Sequence, residues 1–583
     1  MMPEKKLMLG NEAVARGCWE CGVHAVNSYP GTPSTEITEE CAKYPREDML
    51  CEWAPNEKVA LEVSFGVCQS GARALSCMKH VGLNVAADPL FTAAYTGVRG
   101  GLVIAVADDP AMHSSQNEQD SRYYARSAHL PMLEPADAQE CKDFVKLAFD
   151  ISEKYDTPVL LRLTTRLSHS RSVVTLDERV KPEIKPYEKD AQKYVMMPGM
   201  AKKRHLIVED REKRLAADAC KMPENRIEMR DEKLGIICSG VCYQYVREAL
   251  PEASVLKLGL VNPLPRGLIE EFAGKVERLV VIEELEGVIE EQIASWGIAA
   301  EGKNLTGIQG ELSVNRIRLA FGKKLPESAD VPAGIPARPP VLCPGCPHRG
   351  AFYVMKQMKL TVYGDIGCYT MAALPPMSSM DACLCMGASV GMSFGAEKAL
   401  GRDASRHTVA VLGDSTFVHS GITPLIDSVY NGGHNTVCIL DNRITGMTGH
   451  QQNPASGKNI YNEPAAQLNL EALCASCGVR DIHVVDPFDL KKSREELQKA
   501  LDFDGVSVVI FRRPCQLLIK GETKSAKVDG CRNCGKCLTL GCPAIEKTES
   551  GVRINPALCV DCGLCAPLCA FGAIKSSVGG ENK

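Results

Sequence analysis

Near the end of this 583-residue sequence stand two cysteine runs, "CRNCGKCLTLGCP" from Cys531 and "CVDCGLCAPLC" from Cys559. Each opens C-x2-C-x2-C, the spacing that holds [4Fe–4S] clusters, with the last cysteine of each run ligating the other cluster. That rule groups Cys531, Cys534, Cys537 and Cys569 about one cluster, and Cys559, Cys562, Cys565 and Cys542 about the other. The first run has four residues rather than three before its last cysteine, so its final loop differs. Zinc is the competing reading, but two near-repeated runs with a Cys-Pro are poor zinc spacing. One-electron carriers of this kind require an electron source elsewhere in the chain.

A second constellation lies in "VAVLGDSTF" and "VCILDNRITGMTG". Gly413, Asp414 and Ser415 close one apolar strand, and Asn442 closes another 28 residues after Asp414. A hard cation such as Mg²⁺ takes oxygen ligands and usually keeps substrate phosphates in its shell. Asp414 would supply a carboxylate, Asn442 an amide oxygen and Ile444 a backbone carbonyl. Gly413 permits a tight turn, and helix-starting amides bind a diphosphate. Two unrelated strand-end turns are the plain alternative. Upstream, "CLCMGASVGMSFGAEKA" spaces Gly387, Gly391 and Gly395 four apart. Gly387 reads as a diphosphate contact, Gly391 and Gly395 as close helix packing.

This Gly-Asp-small turn with its distant Asn resembles the thiamin-diphosphate-binding motif. Such a site also needs a carboxylate that protonates the aminopyrimidine through a hydrogen bond. Glu57, opening a helix in "APNEKVALEVSFGVCQSGARAL", has the matching form. Glu62 competes for the role, and a surface Glu favoured by the helix dipole is the plain reading of Glu57.

The elements that must position these residues are those of a multidomain α/β protein. Residues 1–165 alternate helices with the strands "HAVNSYPG", "RALSCM" and "GLVIAVADDP", and read as an α/β domain with a largely parallel sheet. A charged connecting segment with some helix follows over 166–232, then a second α/β domain over 233–330. The Pro-rich "DVPAGIPARPP" ends it. Residues 341–524 form a third α/β unit, and 525–583 a small two-cluster domain. Composition is that of a soluble globular protein, with 45% apolar and 24% charged residues. The net charge of −5 gives no reason to expect nucleic acid or membrane binding. No apolar run approaches the roughly 20 residues that span a bilayer, and the start lacks the marks of a secretory signal. A cytoplasmic location is expected, where 27 cysteines point to metal or redox chemistry rather than disulfides. Cys18 and Cys21, though spaced C-x2-C, read as helix packing, and Cys383 and Cys385 as undistinguished.

Taken with "SYPGTPSTEI", "NEKVALEV", "KHVGLNVAADP", "HSSQNEQDSR", "EPADAQE", "DNRITGMTGHQ" and "LCPGCPHRG", these features resemble the 2-oxoacid:ferredoxin oxidoreductases over nearly the whole chain. The closest resemblance is to large subunits of members that act on aryl pyruvates such as indolepyruvate. It implies a pyrimidine-binding thiamin domain at 1–165, a transketolase C-terminal-like domain at 233–330, a diphosphate-binding thiamin domain at 341–524 and a ferredoxin-like tail. It also implies thiamin diphosphate and Mg²⁺ bound between the first and third α/β units, across two copies of the chain. An aryl pyruvate would lose CO₂, give up two electrons singly to ferredoxin and pass its acyl group to coenzyme A. Thr32 corresponds to a Thr touching substrate or thiamin, although Gly31 departs from the bulkier residue often found there. His113, Ser114 and Gln116 are candidates to shape the substrate site. By the same resemblance Cys343, Cys346, Cys368 and Cys515 would hold a third [4Fe–4S] cluster beside the thiamin. The alternative is that the first two only shape the thiamin loop, with His348 as a polar contact. A domain present in the pyruvate-using relatives is missing, which implies a separate smaller (beta) subunit in an α2β2 heterotetramer. The rivals are a non-oxidative thiamin decarboxylase and an electron-transfer subunit with inactive thiamin domains.

Overall fold

Apolar runs become strands of parallel sheets, and the stretches between them become helices. In this computed structural model the described residues are 4–327, 331–336, 339–520 and 524–578. They divide into one unit ending at Val331 and another starting at Pro332. Asp330, Ala337 and Arg338 of the expected Pro-rich boundary lie outside the described residues.

Unit one holds a seven-stranded sheet in the order Leu260–Asn262, Met132–Leu133, Val159–Thr164, Leu102–Asp108, Ala74–Lys79, Ala25–Ser28, Leu50–Trp53. All pairings are parallel except that of Leu260–Asn262. Its central strands are buried throughout, as parallel strands covered on both faces must be. A four-stranded sheet of Arg278–Ile282, Asp231–Ser239, Ala253–Leu258 and Arg226–Glu228 follows. The expected second α/β domain is therefore not closed on itself, because Leu260–Asn262 leaves it to become an edge strand of the first sheet. Helix Pro198–Ala219 in the expected connecting segment is anchored by buried arginines. Arg204 donates to the Tyr95 carbonyl and Arg211 to that of Ala94, each at 2.7 Å.

In unit two, Ala382–Cys383, Thr361–Gly364, Thr408–Gly413, Thr436–Asp441, Ser507–Arg512 and Asp481–Val485 form one parallel sheet in that order. Asp414 and Asn442 thus follow the carboxyl ends of adjacent central strands, where open α/β sheets bind ligands. Gly391 and Gly395 do not pack as expected. Helix Ala388–Leu400 buries Ser389, Val390, Ser393 and Phe394, so the two glycines face outward with nothing within 4 Å of a would-be Cβ. Among the described residues the tail has two short antiparallel ribbons, Lys527–Val528 with Ile574–Lys575 and Ile545–Thr548 with Gly551–Ile554.

The seven- and four-stranded sheets of unit one are joined by buried charge rather than apolar packing alone. Arg122 donates to Asp120 at 2.6 and 2.9 Å, to Glu283 beyond strand Arg278–Ile282, and to the Glu284 and Glu286 carbonyls at 2.8 and 2.9 Å. Arg162 pairs with Asp108 and Glu134 at 2.6 Å, and Glu134 accepts from Ser239 at 2.6 Å. All these side chains are buried. Removing one partner of such a network strands the others in a poorly solvating interior, at about 3–5 kcal/mol. Arg122→Met is expected to lower the thermal unfolding midpoint accordingly; a variant melting with the wild type would contradict this account of the joint.

Candidate cofactor sites

The turn after strand Thr408–Gly413 carries Asp414, which is buried with its Oδ2 lacking any hydrogen-bond partner. Burial pushes its carboxyl up to about 7, and nearby Asp441 adds to the effect. A carboxylate so placed suits a divalent cation, which would compensate its charge and take the free oxygen. Asn442 lies opposite: its Oδ1 accepts from the Ile444 amide at 3.1 Å, and its amide nitrogen lies 3.4 Å from His348 Nε2. Burial holds His348 down at about 4, so at neutral pH the ring is uncharged and can accept that hydrogen bond. His348 thereby orients the Asn442 side chain. Ser415 Oγ accepts from Thr445 at 3.0 Å, tying the two turns together, and Ile444 is buried between them.

Gly413 has ordinary extended backbone, φ −80° and ψ 166°, so its smallness serves another end than the tight turn expected. A Cβ there would come within 3.0 Å of the Tyr369 ring. Gly387 does need a left-handed conformation, φ 85°, and a Cβ would lie 2.6 Å from the Ser420 carbonyl. Its amide donates to Asp365 Oδ1 at 2.9 Å, as does that of Ile366, and the Ser389 amide donates to Oδ2 at 3.2 Å. Sequence reasoning missed Asp365, although its place after strand Thr361–Gly364 in "YGDIG" was a signal.

In unit one, Asn56 caps helix Glu57–Gln69 by accepting from the Val59 amide at 2.9 Å, which fixes Glu57 at the first turn. Glu57 is buried, and its Oε1 lies 2.6 Å from where a Cβ on Gly82 would be. Glu62 is exposed and pairs with Lys58. Ser114 Oγ donates to the Thr32 carbonyl at 3.3 Å, and Lys79 donates to the Ser114 carbonyl at 2.6 Å. The Lys79 Cβ is 3.1 Å from a would-be Gly31 Cβ, so Lys79 takes the room that a bulkier residue at 31 would need. Burial lowers the Lys79 ammonium to about 8 against the attraction of Asp109. His113 instead turns to Glu311 at 3.3 Å, and Gln116 is exposed. Lys79 was not read from the sequence, since a lone Lys ending a strand carries no pattern.

The tail thiols separate into two sets. A small cavity is lined by Cys531, Cys534, Cys537 and Cys569, and another by Cys542, Cys559, Cys562 and Cys565. Asn533 and Asp561, at φ 53° and 47°, take the same left-handed turn in the two runs. Each turns its amide onto the preceding cysteine sulfur at 3.4 Å. Burial alone would raise Cys569, but the amides of Ala573, Phe571, Ile574 and Gly572 outweigh it and favour its thiolate. Cys343, Cys346, Cys368 and Cys515 form a third group, close enough for their charges to oppose one another's ionisation. It adjoins the Asp414 site, since the Cys515 amide donates to the Asn442 carbonyl at 2.9 Å. Among the described residues no three His, Cys, Asp or Glu side chains close on a single metal ion; thiols around a cluster stand further apart. Cys18 and Cys21 are buried at the end of helix Gly10–Glu20. Cys383 and Cys385 are exposed.

Residues 16–233 match the family described as pyruvate flavodoxin/ferredoxin oxidoreductase, thiamine diphosphate-binding. Residues 365–511 match the C-terminal TPP-binding domain of thiamine pyrophosphate enzymes. The indolepyruvate oxidoreductase subunit IorA of Archaeoglobus fulgidus is 40% identical, over 98% of this chain and 97% of its own. That of Pyrococcus horikoshii is 38% identical over 99% and 98%, and that of Methanothermobacter thermautotrophicus 40% over 98% and 97%. The chain belongs to the indolepyruvate oxidoreductase subunit IorA family. It is therefore a thiamin-diphosphate-dependent 2-oxoacid:ferredoxin oxidoreductase chain, and the orphaned Asp414 oxygen fits the metal that such a cofactor needs.

In this family setting Gly82 becomes a sensitive point. Gly82→Ala would push the Glu57 carboxylate off its place by its 2.6 Å clash. Misplacing a reacting group by about 1 Å costs on the order of 100-fold in rate. Activity is expected to fall as it does in Glu57→Gln, with the melting temperature held; Gly82→Ala at the wild-type rate would remove Glu57 from the site.

Proposed function

We propose that the chain is the catalytic subunit for CoA-dependent oxidative decarboxylation of aryl pyruvates, indolepyruvate among them. Its products would be the aryl-acetyl-CoA and CO₂, with two electrons leaving singly for ferredoxin. The relatives' name supports the substrate class. What carries the electron route is the 2.9 Å hydrogen bond from Cys515 to the Asn442 carbonyl, which puts a four-cysteine group against the metal turn.

Thiamin diphosphate, when bound, supplies the carbanion chemistry by which a 2-oxo acid loses CO₂. Asp414, Asn442 and the Ile444 carbonyl would hold Mg²⁺, while Gly387, Gly413 and Ser415 line the diphosphate's place and His348 orients Asn442. Glu57 would hold a proton at the aminopyrimidine nitrogen, and Thr32 would position the substrate. The three cysteine sets would each hold a [4Fe–4S] cluster. Few large apolar side chains are buried in the tail, chiefly Leu540, Leu564, Ile545, Val552 and Ile574, so such cross-links would add what a small core lacks. The α2β2 assembly with a smaller subunit, and a cytoplasmic setting, complete the reading. No helix among the described residues is long and apolar enough to cross a membrane.

The test is reduction of ferredoxin by the chain with its partner subunit, anaerobically, on phenylpyruvate or indolepyruvate and coenzyme A. Reduction is expected only when all are present. Aldehyde release without reduction would instead make it a non-oxidative decarboxylase, and no turnover an electron-transfer subunit. Iron analysis is expected to give about twelve atoms per chain, falling to about eight in Cys343→Ser/Cys346→Ser. About eight in both would remove the third cluster.

A further inference from the structure

Arg349, in the first turn of helix His348–Gln357, is 2% exposed. Its guanidinium donates to the backbone carbonyls of Leu540 at 2.7 Å, Leu342, and Cys343 at 3.3 Å, and its Nε has no hydrogen-bond partner. No carboxylate pairs with it among the described residues. A guanidinium taken out of water needs a compensating anion, which carbonyl dipoles supply only in part.

The groups that feel its charge are Cys542, Cys346, Cys562 and Cys343, two from each of two cysteine sets. These sets share a wall. Pro344 and Gly345, between Cys343 and Cys346, line the cavity of Cys542, Cys559, Cys562 and Cys565, and a Cβ on Gly345 would strike Val560 at 2.6 Å. On the other side a would-be Cβ on Gly541 would press Pro376 at 3.0 Å and stand 3.4 Å from Nη1. The longer loop of the first tail run carries both the Leu540 carbonyl that Arg349 meets and Cys542 at its end.

We propose that Arg349 is the shared counter-ion of these two four-cysteine sites, favouring the reduced state of both along the electron path. The proposal rests on the reading that both sites hold clusters. A cluster gains negative charge on reduction, so a fixed cation nearby raises its potential, most strongly where water is excluded. Cys531, Cys534, Cys537 and Cys569 line a separate cavity that neither Pro344 nor Gly345 borders, and this set serves as an internal control.

The experiment is an anaerobic redox titration of the full complex followed by electron paramagnetic resonance, with signals assigned through single Cys→Ser variants. Wild type is compared with Arg349→Met and Arg349→Lys. Two of three midpoints are expected to move to more negative values in Arg349→Met, the third staying put, with Arg349→Lys restoring most of the shift. Iron lost from the two flanking sites alone in Arg349→Met, and kept in Arg349→Lys, also supports a counter-ion. Unmoved midpoints, a common shift of all three, or loss from one site only would overturn it. A wild-type complex with fewer than about twelve iron atoms per chain would sink the cluster reading itself.

Discussion

The start of helix His348–Gln357, with Cys346 just before it, meets three needs at once, and unit two is arranged around them. Cys346 contributes a thiol to the inner cysteine group, His348 orients Asn442 from 3.4 Å, and Arg349 reaches the Leu540 carbonyl at 2.7 Å. Each of these side chains is buried. A helix start is a rigid place from which to aim them, because its backbone is fixed by the turns that follow. Even its neighbour Gly350 is committed, since a Cβ there would lie 1.8 Å from the Pro487 carbonyl. The Asn442 turn, the inner cysteine group and the tail are therefore all tied to this helix start.

Buried charge is handled differently in the two units. In unit one the carboxylates Asp108, Asp120, Glu134 and Glu283 meet Arg122 and Arg162 directly, so charge is met by charge within the chain even though one Arg162 nitrogen makes no hydrogen bond. In unit two Asp414 keeps an oxygen without a partner and Arg349 keeps a nitrogen without one. A folded interior does not leave such groups uncompensated without cause. One is an anion beside a turn suited to a cation, the other a cation between groups of thiols suited to anionic clusters. The signs of the missing charges thus agree with the cofactors that the family requires.

Strands such as "HTVAVLGDS" and "NTVCILDN" were legible because a buried parallel strand is a continuous apolar run, and the cysteine sets because their spacing is itself the ligand geometry. The placement of Asp414 and Asn442 followed, since strand ends dictate where such residues lie. What stayed hidden joins residues far apart in sequence. Asp365 meets Gly387, Lys79 meets Ser114, and Arg349 meets Leu540 only in the folded chain. Charged residues read by default as solvated, so the connecting segment concealed Arg204 and Arg211. The glycine stripe misled for the opposite reason. Four-residue spacing tells that Gly391 and Gly395 share a face, but not which way the face points.

The motifs that carried the family resemblance turn out to have unlike physical grounds. "NEKVALEV" and "LCPGCPHRG" place groups at the candidate sites. "HSSQNEQDSR" and "EPADAQE" mostly build unit one: the first supplies Asp120 and Arg122, and the second supplies Glu134, the helix cap Asp137 and Glu140, which pairs with the buried Lys257 at 2.5 Å. A buried ion network tolerates substitution as poorly as a catalytic group, because one change leaves the remaining charges unpaired. Ser114 shows how the two grounds meet. Its hydroxyl contacts Thr32, while its amide donates at 2.8 Å to Asp109, next to the network's Asp108. The loop that approaches Thr32 is thus held next to the buried charges that join the seven- and four-stranded sheets.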